Sequence, residues 1–205
     1  MSNKVVYQEF VMKKNIMLLV AAFFVLFGAN AFACVGKTLV IGAVDSANDR
    51  LLAQMMAVII NERTGTTVNV KYFEDHKQLF DAVKKREINI FTENTGRALK
   101  LLEKEAGTDE NLIYSVVKDE FDSQFHLVML KPFGKVESNA GDQPFIDVPT
   151  IAAGILIDYP ALPRVLNKLA GIAQDKGYAK LLAAVESGDK PSQVARDFLK
   201  KKRYI

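Results

Sequence analysis

The spacing of apolar residues switches between two periods along the first half of the chain. Residues 38–43 form a mostly apolar run of strand length, after which Leu51, Leu52, Met55, Met56, Val58 and Ile59 recur at helical spacing and predict a packed helix over 47–63. Asp45 and Ser46 supply cap oxygens at its start, and Gly65 stops it. At 67–73 the period returns to two, with Val68, Val70 and Tyr72 on one side of a second strand. Asp75 then caps a helix carrying Leu79, Phe80 and Val83. Residues 88–91 make a third strand, and Ala98, Leu99, Leu102 and Ala106 predict a helix over 95–106 that ends at Gly107. Three strand-helix units in succession imply an α/β fold with parallel strands and right-handed crossovers.

Beyond Gly107 the alternation loosens. Residues 112–117 read as extended, and 124–130 as a strand stopped at Pro132, with His126 as a core or edge residue. Residues 133–148 are rich in Gly, Asn and Asp and read as a loop or crossing segment. A short buried strand at 150–153 and helices at 159–173, 177–186 and 192–202 complete the chain, with no internal repeat. In an open α/β sheet, ligands bind outside the carboxyl ends of the strands. The polar turns at 45–49, after the first strand, and at 92–96, after the third, are therefore the candidate functional edge.

The first thirty-three residues have a different character. Lys13 and Lys14 precede an apolar run at 16–29, and Ala31-Phe32-Ala33 has the small-x-small form of a signal-peptidase site. The run is shorter than the roughly 20 residues of a spanning helix. Residues 1–33 are thus expected to be a secretory signal, with Met12 as the true start, leaving 34–205 as a single domain in the periplasm or outside the cell. Cleavage would place Cys34 first. A lipid anchor there is the alternative, although Ala31 and Phe32 depart from the preferred residues. Cys34 is the only cysteine, so no intramolecular disulfide can form.

The leader also accounts for most of the basic excess. It holds Lys4, Lys13, Lys14 and Glu9, so removing it lowers the formal charge of +3 to +1. That argues against a nucleic-acid partner, which requires a clustered basic footprint. The one dense cluster, at 200–203, closes a helix, where the helix dipole favours cations.

The candidate chemistry is binding rather than catalysis. His76 and His126 are the only histidines and lie in no metal-ligand spacing, and Cys34 lacks an oriented base, so no catalytic residue, metal or cofactor is assigned. Asp45, Ser46, Asn48 and Thr95 are good cap residues at helix starts that could also present backbone N–H groups to a ligand. Glu93 and Asn94 stand beside Thr95 at the third strand end, where a carboxylate has less structural reason to be.

Two blocks resemble the substrate-binding proteins of glycine betaine, choline and related quaternary-amine ABC transporters. The first holds Ile41-Gly42, Leu52-Ala53 and Phe91-Thr92-Glu93-Asn94-Thr95-Gly96, placed as the family's aromatic-x-Glu-Tyr-Thr-Gly motif. The second holds Pro160, Leu166-Asn167-Lys168-Leu169-Ala170-Gly171 and Pro191-Ser192-Gln193-Val194-Ala195-Arg196-Asp197-Phe198-Leu199. The resemblance implies a type II periplasmic-binding-protein-like lobe, mostly parallel, flanked by helices. It also implies a role in transport and osmoprotection, a quaternary amine as small-molecule ligand, and an ABC permease as partner. The ligand would lie near Asp45, Ser46, Asn48, Glu93, Asn94 and Thr95. Asn94 stands in place of the motif's Tyr, and Ser46-Ala47-Asn48 in place of Phe-Thr-Glu. There is no Trp to offer a cation-π face, leaving Tyr72, Phe73, Phe91 and Phe125 as aromatic candidates, each better explained as core. Family members cross into a second lobe where this chain has only 133–148, so a homodimer or another partner would supply the facing wall. The other reading is an interaction or sensor domain that keeps the fold without the ligand.

Overall fold

The computed structural model describes residues 38–105, 107–135 and 145–205, so the expected signal and Cys34 lie outside the described residues. The strand-helix alternation of the first half forms as expected, but the third strand takes in 92–94, read as turn, and the helix expected over 95–106 ends at Leu101. β1 (Leu39–Val44) leads to α1 (Ala47–Thr64), β2 (Val68–Phe73) to α2 (His76–Lys84), and β3 (Ile90–Asn94) to α3 (Thr95–Leu101). Ser46 caps α1 by accepting from the Asp49 backbone, Asp75 caps α2, and Gly65, at φ 69°, ends α1 with its N–H on Asn61.

The second half departs from the alternation. Residues 112–117 are not extended. They lie in α4 (Glu110–Phe125), whose Ile113, Val117 and Phe121 repeat every fourth residue and are buried on one face. Asp109 starts this helix by accepting from the Asn111 and Leu112 backbone N–H groups at 2.8 and 3.1 Å. His126 is its left-handed cap at φ 55° and is exposed, not a strand residue of the core. β4 is therefore only Leu127–Met129. β5 (Asp147–Ala152) begins earlier than expected, because Pro149 stands inside it rather than before it. The single helix expected at 159–173 is broken, as Pro160, Pro163 and the left-handed Gly171 (φ 73°) would dictate. A short α5 (Ile155–Asp158) precedes it, and in its place are α6 (Leu162–Leu166) and 3₁₀ turns at Asn167–Leu169 and Ile172–Gln174. Two C-terminal helices, α7 (Tyr178–Glu186) and α8 (Pro191–Lys201), follow.

The five strands form one mixed sheet in the order β2-β1-β3-β5-β4. β1 pairs in parallel with β2 and β3, whereas β5 runs antiparallel to β3 and β4. One face of the sheet is covered by α1 and the C-terminal helices, with Met55, Met56, Ile59, Leu166, Phe198 and Leu199 buried together. The other face is covered by α2, α3 and α4 through Leu79, Phe80, Leu99, Val117 and Phe121. The connection from β4 to β5 spans only 130–146 and is pinned by a bridge between Gly134 and Asp147. The carboxyl ends of β1 and β3 are left at one edge with the starts of α1 and α3 beside them.

Gly42 shows how tightly β1 and α2 approach. A Cβ there would stand 2.4 Å from Leu79 Cδ1 and 3.0 Å from Ile88 Cγ2, both in the packed core. Gly42→Ala is expected to destabilise the fold by about 1–3 kcal/mol through overpacking, measurable as a lower urea midpoint at unchanged slope.

Candidate functional site

A chain of polar side chains crosses the strand-end edge from α2 to α7. Its centre is Arg97, in the first turn of α3. Both terminal guanidinium nitrogens grip Asp49 of α1, with Nη1 on Oδ2 at 3.0 Å and Nη2 on Oδ1 at 2.9 Å, and Nη2 also donates to the Thr92 carbonyl at 3.2 Å. The Arg97 Nε lies 3.5 Å from Glu93 Oε1 as an ion pair. Burial alone would lower the guanidinium's pKa, but the hydrogen bonds and charge of Asp49, joined by the charges of Glu93 and Asp147, more than reverse this and hold it above the usual value.

Glu93 is fully buried at the end of β3. Its Oε1 accepts from the Asn94 backbone N–H at 2.8 Å, and its Oε2 is 2.8 Å from His76 Nε2 at the start of α2. On the far side, Asp147 at the start of β5 accepts from Asn94 Nδ2 on one oxygen and from Asn48 Nδ2 on the other, each at 2.9 Å. Asn48 in turn accepts from the Tyr178 hydroxyl at 2.7 Å. Burial, reinforced by the nearby Asp49 charge, pushes the Asp147 carboxyl above its ordinary value despite the opposing Asn94 and Asn48 amides and Arg97. Burial, with Asp147 and Asp49, also raises the Tyr178 hydroxyl, which stays a proton donor.

The structure thus brings together Asn48, Glu93 and Asn94 of the expected set. Ser46 joins through its hydroxyl, which donates to Asp49 Oδ2 at 2.7 Å. Thr95 is buried and turned to the β5 side, where its Oγ1 accepts from the Ile146 N–H and its own N–H donates to the Ile146 carbonyl, both at 3.0 Å. Asp45 stands apart, exposed and ion-paired with Arg50, whose hydrogen bond holds the carboxyl below its ordinary value. The aromatic candidates do not form a wall. Phe91 is core, Phe125 stacks edge-on against Phe80 and Phe121, and Tyr72 is exposed with the Arg50 guanidinium already 5.0 Å above its ring.

Sequence reasoning missed Asp49, Arg97, Asp147, His76 and Tyr178. Asp49 and Arg97 had a signal, since each lies on the first turn of a helix that follows a strand. Asp147 sat in a stretch read as loop, and Tyr178 lies 130 residues from its partner. The helix starts are closed from within as well: Asn94 Oδ1 accepts from the Gly96 N–H at 3.0 Å, and the Phe145 ring covers Gly96, 2.5 Å from where a Cβ would stand. Chemically the cluster is a buried, acid-rich polar network. It sets Asp49, Glu93 and Asp147 against one guanidinium, and among the described residues no group of three or more His, Cys, Asp or Glu is placed to hold a metal.

Two outcomes test these couplings. Arg97→Met would leave Asp49 and Glu93 buried without their cation and is expected to cost about 3 kcal/mol in urea unfolding. The Asp147 carboxyl binds its proton more tightly in the folded state than the ordinary value of 3.8, so its contribution to stability is complete below that pH. It is lost as pH rises through the folded value. Unfolding free energies measured at acid and neutral pH should accordingly show wild type losing ground to Asp147→Asn as pH rises.

Residues 37–141 match the family described as the substrate binding domain of an ABC-type glycine betaine transport system. Among solved structures, apo YehZ from Escherichia coli is similar with a TM-score of 0.71 at 13% identity, over 83% of this chain and 100% of that one. A structure described as a glycine betaine/carnitine/choline ABC transporter gives the same score and identity, over 82% of this chain and 98% of that one. At that identity the likeness establishes the α/β binding-protein fold. Comparison with curated proteins finds no match. The family match begins two residues before β1, takes in both strand-end turns and runs over more than half of the sequence. The chain belongs to the family of glycine betaine substrate-binding domains of ABC transport systems.

Proposed function

We propose that this protein is an exported binding module for a small organic cation of the quaternary-amine class, working with an ABC permease. The observation that carries the reading is the carboxylate excess at the strand ends. Asp49, Glu93 and Asp147 face one permanent cation, Arg97, and Asn48 and Asn94 fix the Asp147 oxygens in place. Ser46, Asn48 and Asn94 are the partly exposed members through which a ligand would meet this field. Asp45 lies at the rim, and Glu93 and Thr95 support the surface from below.

A single sheet offers one wall, whereas ligand sites of high affinity bury most of the ligand surface. Binding by the chain alone is therefore weak, and a second copy or another partner supplies the facing wall. A second reading, an interaction or sensor domain without ligand, is favoured by one observation: apart from Thr92 Oγ1 and Arg97 Nε, the buried polar side chains of the cluster already satisfy one another.

Calorimetry of the purified chain against choline, glycine betaine and carnitine separates the two. The expected result is a dissociation constant on the order of 1 mM for at least one of them, weakened about tenfold by Asp147→Asn. Absence of heat and of thermal shift for all three ligands would sink the binding reading and leave the sensor. The precursor mass, measured with cleavage blocked, tests the expected leader.

A further inference from the structure

On the face of the sheet opposite α1, α2 and α3 stand apart, and a groove of about 440 Å³ runs between them. Its volume lies within the roughly 300–1,000 Å³ typical of small-ligand sites. The apolar lining is the exposed Leu101, with Phe80 almost wholly buried beside it. The rims are basic, with Lys77 and Lys84 on α2 and Arg97 and Lys100 on α3.

Charge on these rims is unbalanced. Asp81 is the one carboxylate among the lining residues and is shared by two lysines, Lys84 at 2.8 Å and Lys77 at 3.3 Å. Lys100 has no acidic partner among the described residues. Arg97 is matched from behind by Asp49 and Glu93, so it adds little to the surplus. Three lysines from two helices thus line one groove with a single carboxylate among them. An ordinary solvated lysine face is convex and lacks such a lining. Lys84 already lies 5.8 Å above the Phe80 ring, which places its ammonium at the seam between the charged rim and the apolar base.

We propose that this groove is a second binding site, which takes a small organic anion consisting of a carboxylate on an apolar or aromatic body. The carboxylate meets Lys100 and Lys84 across the groove, and the body rests on Leu101 and the lysine stems that line the groove. Its charge preference is opposite to that of the strand-end cluster, so the two sites take different ligands and can be tested separately. His76 and Arg97 line the groove while holding Glu93 and Asp49 of the strand-end cluster, so the two sites share a boundary, and the three lysines belong to the groove alone.

Amide NMR titration of the purified chain with sodium phenylacetate tests the proposal, with sodium sulfate and choline chloride as comparison arms. Saturable shifts concentrated in residues 76–84 and 97–101 are expected for phenylacetate. Lys100→Ala should weaken its binding about threefold, and added salt should weaken it further. Choline affinity should be unchanged by Lys100→Ala, which keeps the result independent of the cation reading. Shifts that spread over the surface without saturating, an equal response to sulfate, or full phenylacetate affinity in a well-dispersed Lys100→Ala spectrum would each overturn it.

Discussion

Arg97 stands where three parts of the lobe end: β3 behind it, α1 across from it, and β5 on the far side. Its planar guanidinium makes a paired contact with Asp49 and reaches the Thr92 carbonyl in the same reach. Lysine could not reproduce that fork. The contact ties the first turn of α1 to the end of β3, two segments about fifty residues apart in sequence, and everything else at the edge is arranged with respect to it. Asp49 is oriented by the Ser46 cap, Glu93 by His76 and its own neighbour's backbone, and Asp147 by the two asparagines. Buried charges of this kind persist only when paired and hydrogen-bonded, so the edge is cooperative: each member's position is a condition for the next.

How much of this could be read from residues follows from how local the determinants were. The order of the first three strand-helix units was legible because the periods alternate, and most fully at the first, where Ser46, the buried run from Leu51 to Ile60 and Gly65 agree. α4 was not, because Leu112-Ile113-Tyr114 and Val116-Val117 favour strands locally, and only burial of Ile113, Val117 and Phe121 against the sheet makes the helical spacing decisive. For β5 the buried end at 150–152 was legible, but its start at Asp147 and its antiparallel direction left no local trace. Its Pro149 pairs opposite Thr92 within an inner strand, a place where proline argues against strand when only sequence is in hand. At the site, Ser46 alone of the four expected caps serves as one, and Asn94 rather than Thr95 caps α3. The ion pairs were invisible, since nothing in one sequence tells Asp49 that it will face Arg97.

The same edge shows two demands drawing on one set of side chains. A binding surface needs polar groups with capacity to spare, whereas a buried polar network is stable only when that capacity is used up. Here Asp147 spends both oxygens on amides, and the start of α3 is closed by Asn94 and by the backbone of Ile146. What the network leaves available is its field rather than its hydrogen bonds, an environment better suited to a diffuse cation than to a ligand that must be held by directed donors.

The clasp between Gly134 and Asp147 has a consequence of its own. The Phe133 N–H donates to the Asp147 carbonyl at 2.8 Å, and the Asp147 N–H returns to the Gly134 carbonyl at 3.2 Å, so the two ends of the β4 to β5 connection meet as neighbours on a ladder. Chain entering and leaving at adjacent points can be lengthened with little effect on the sheet, because the entropy of closing a loop rises only with the logarithm of its length. Doubling it costs about 0.6 kcal/mol. The lobe is therefore a natural host for insertion: a folded unit, a reporter or a second wall spliced in at this point would leave the strand order and the Arg97 contacts as they are, while arriving directly beside Asp147.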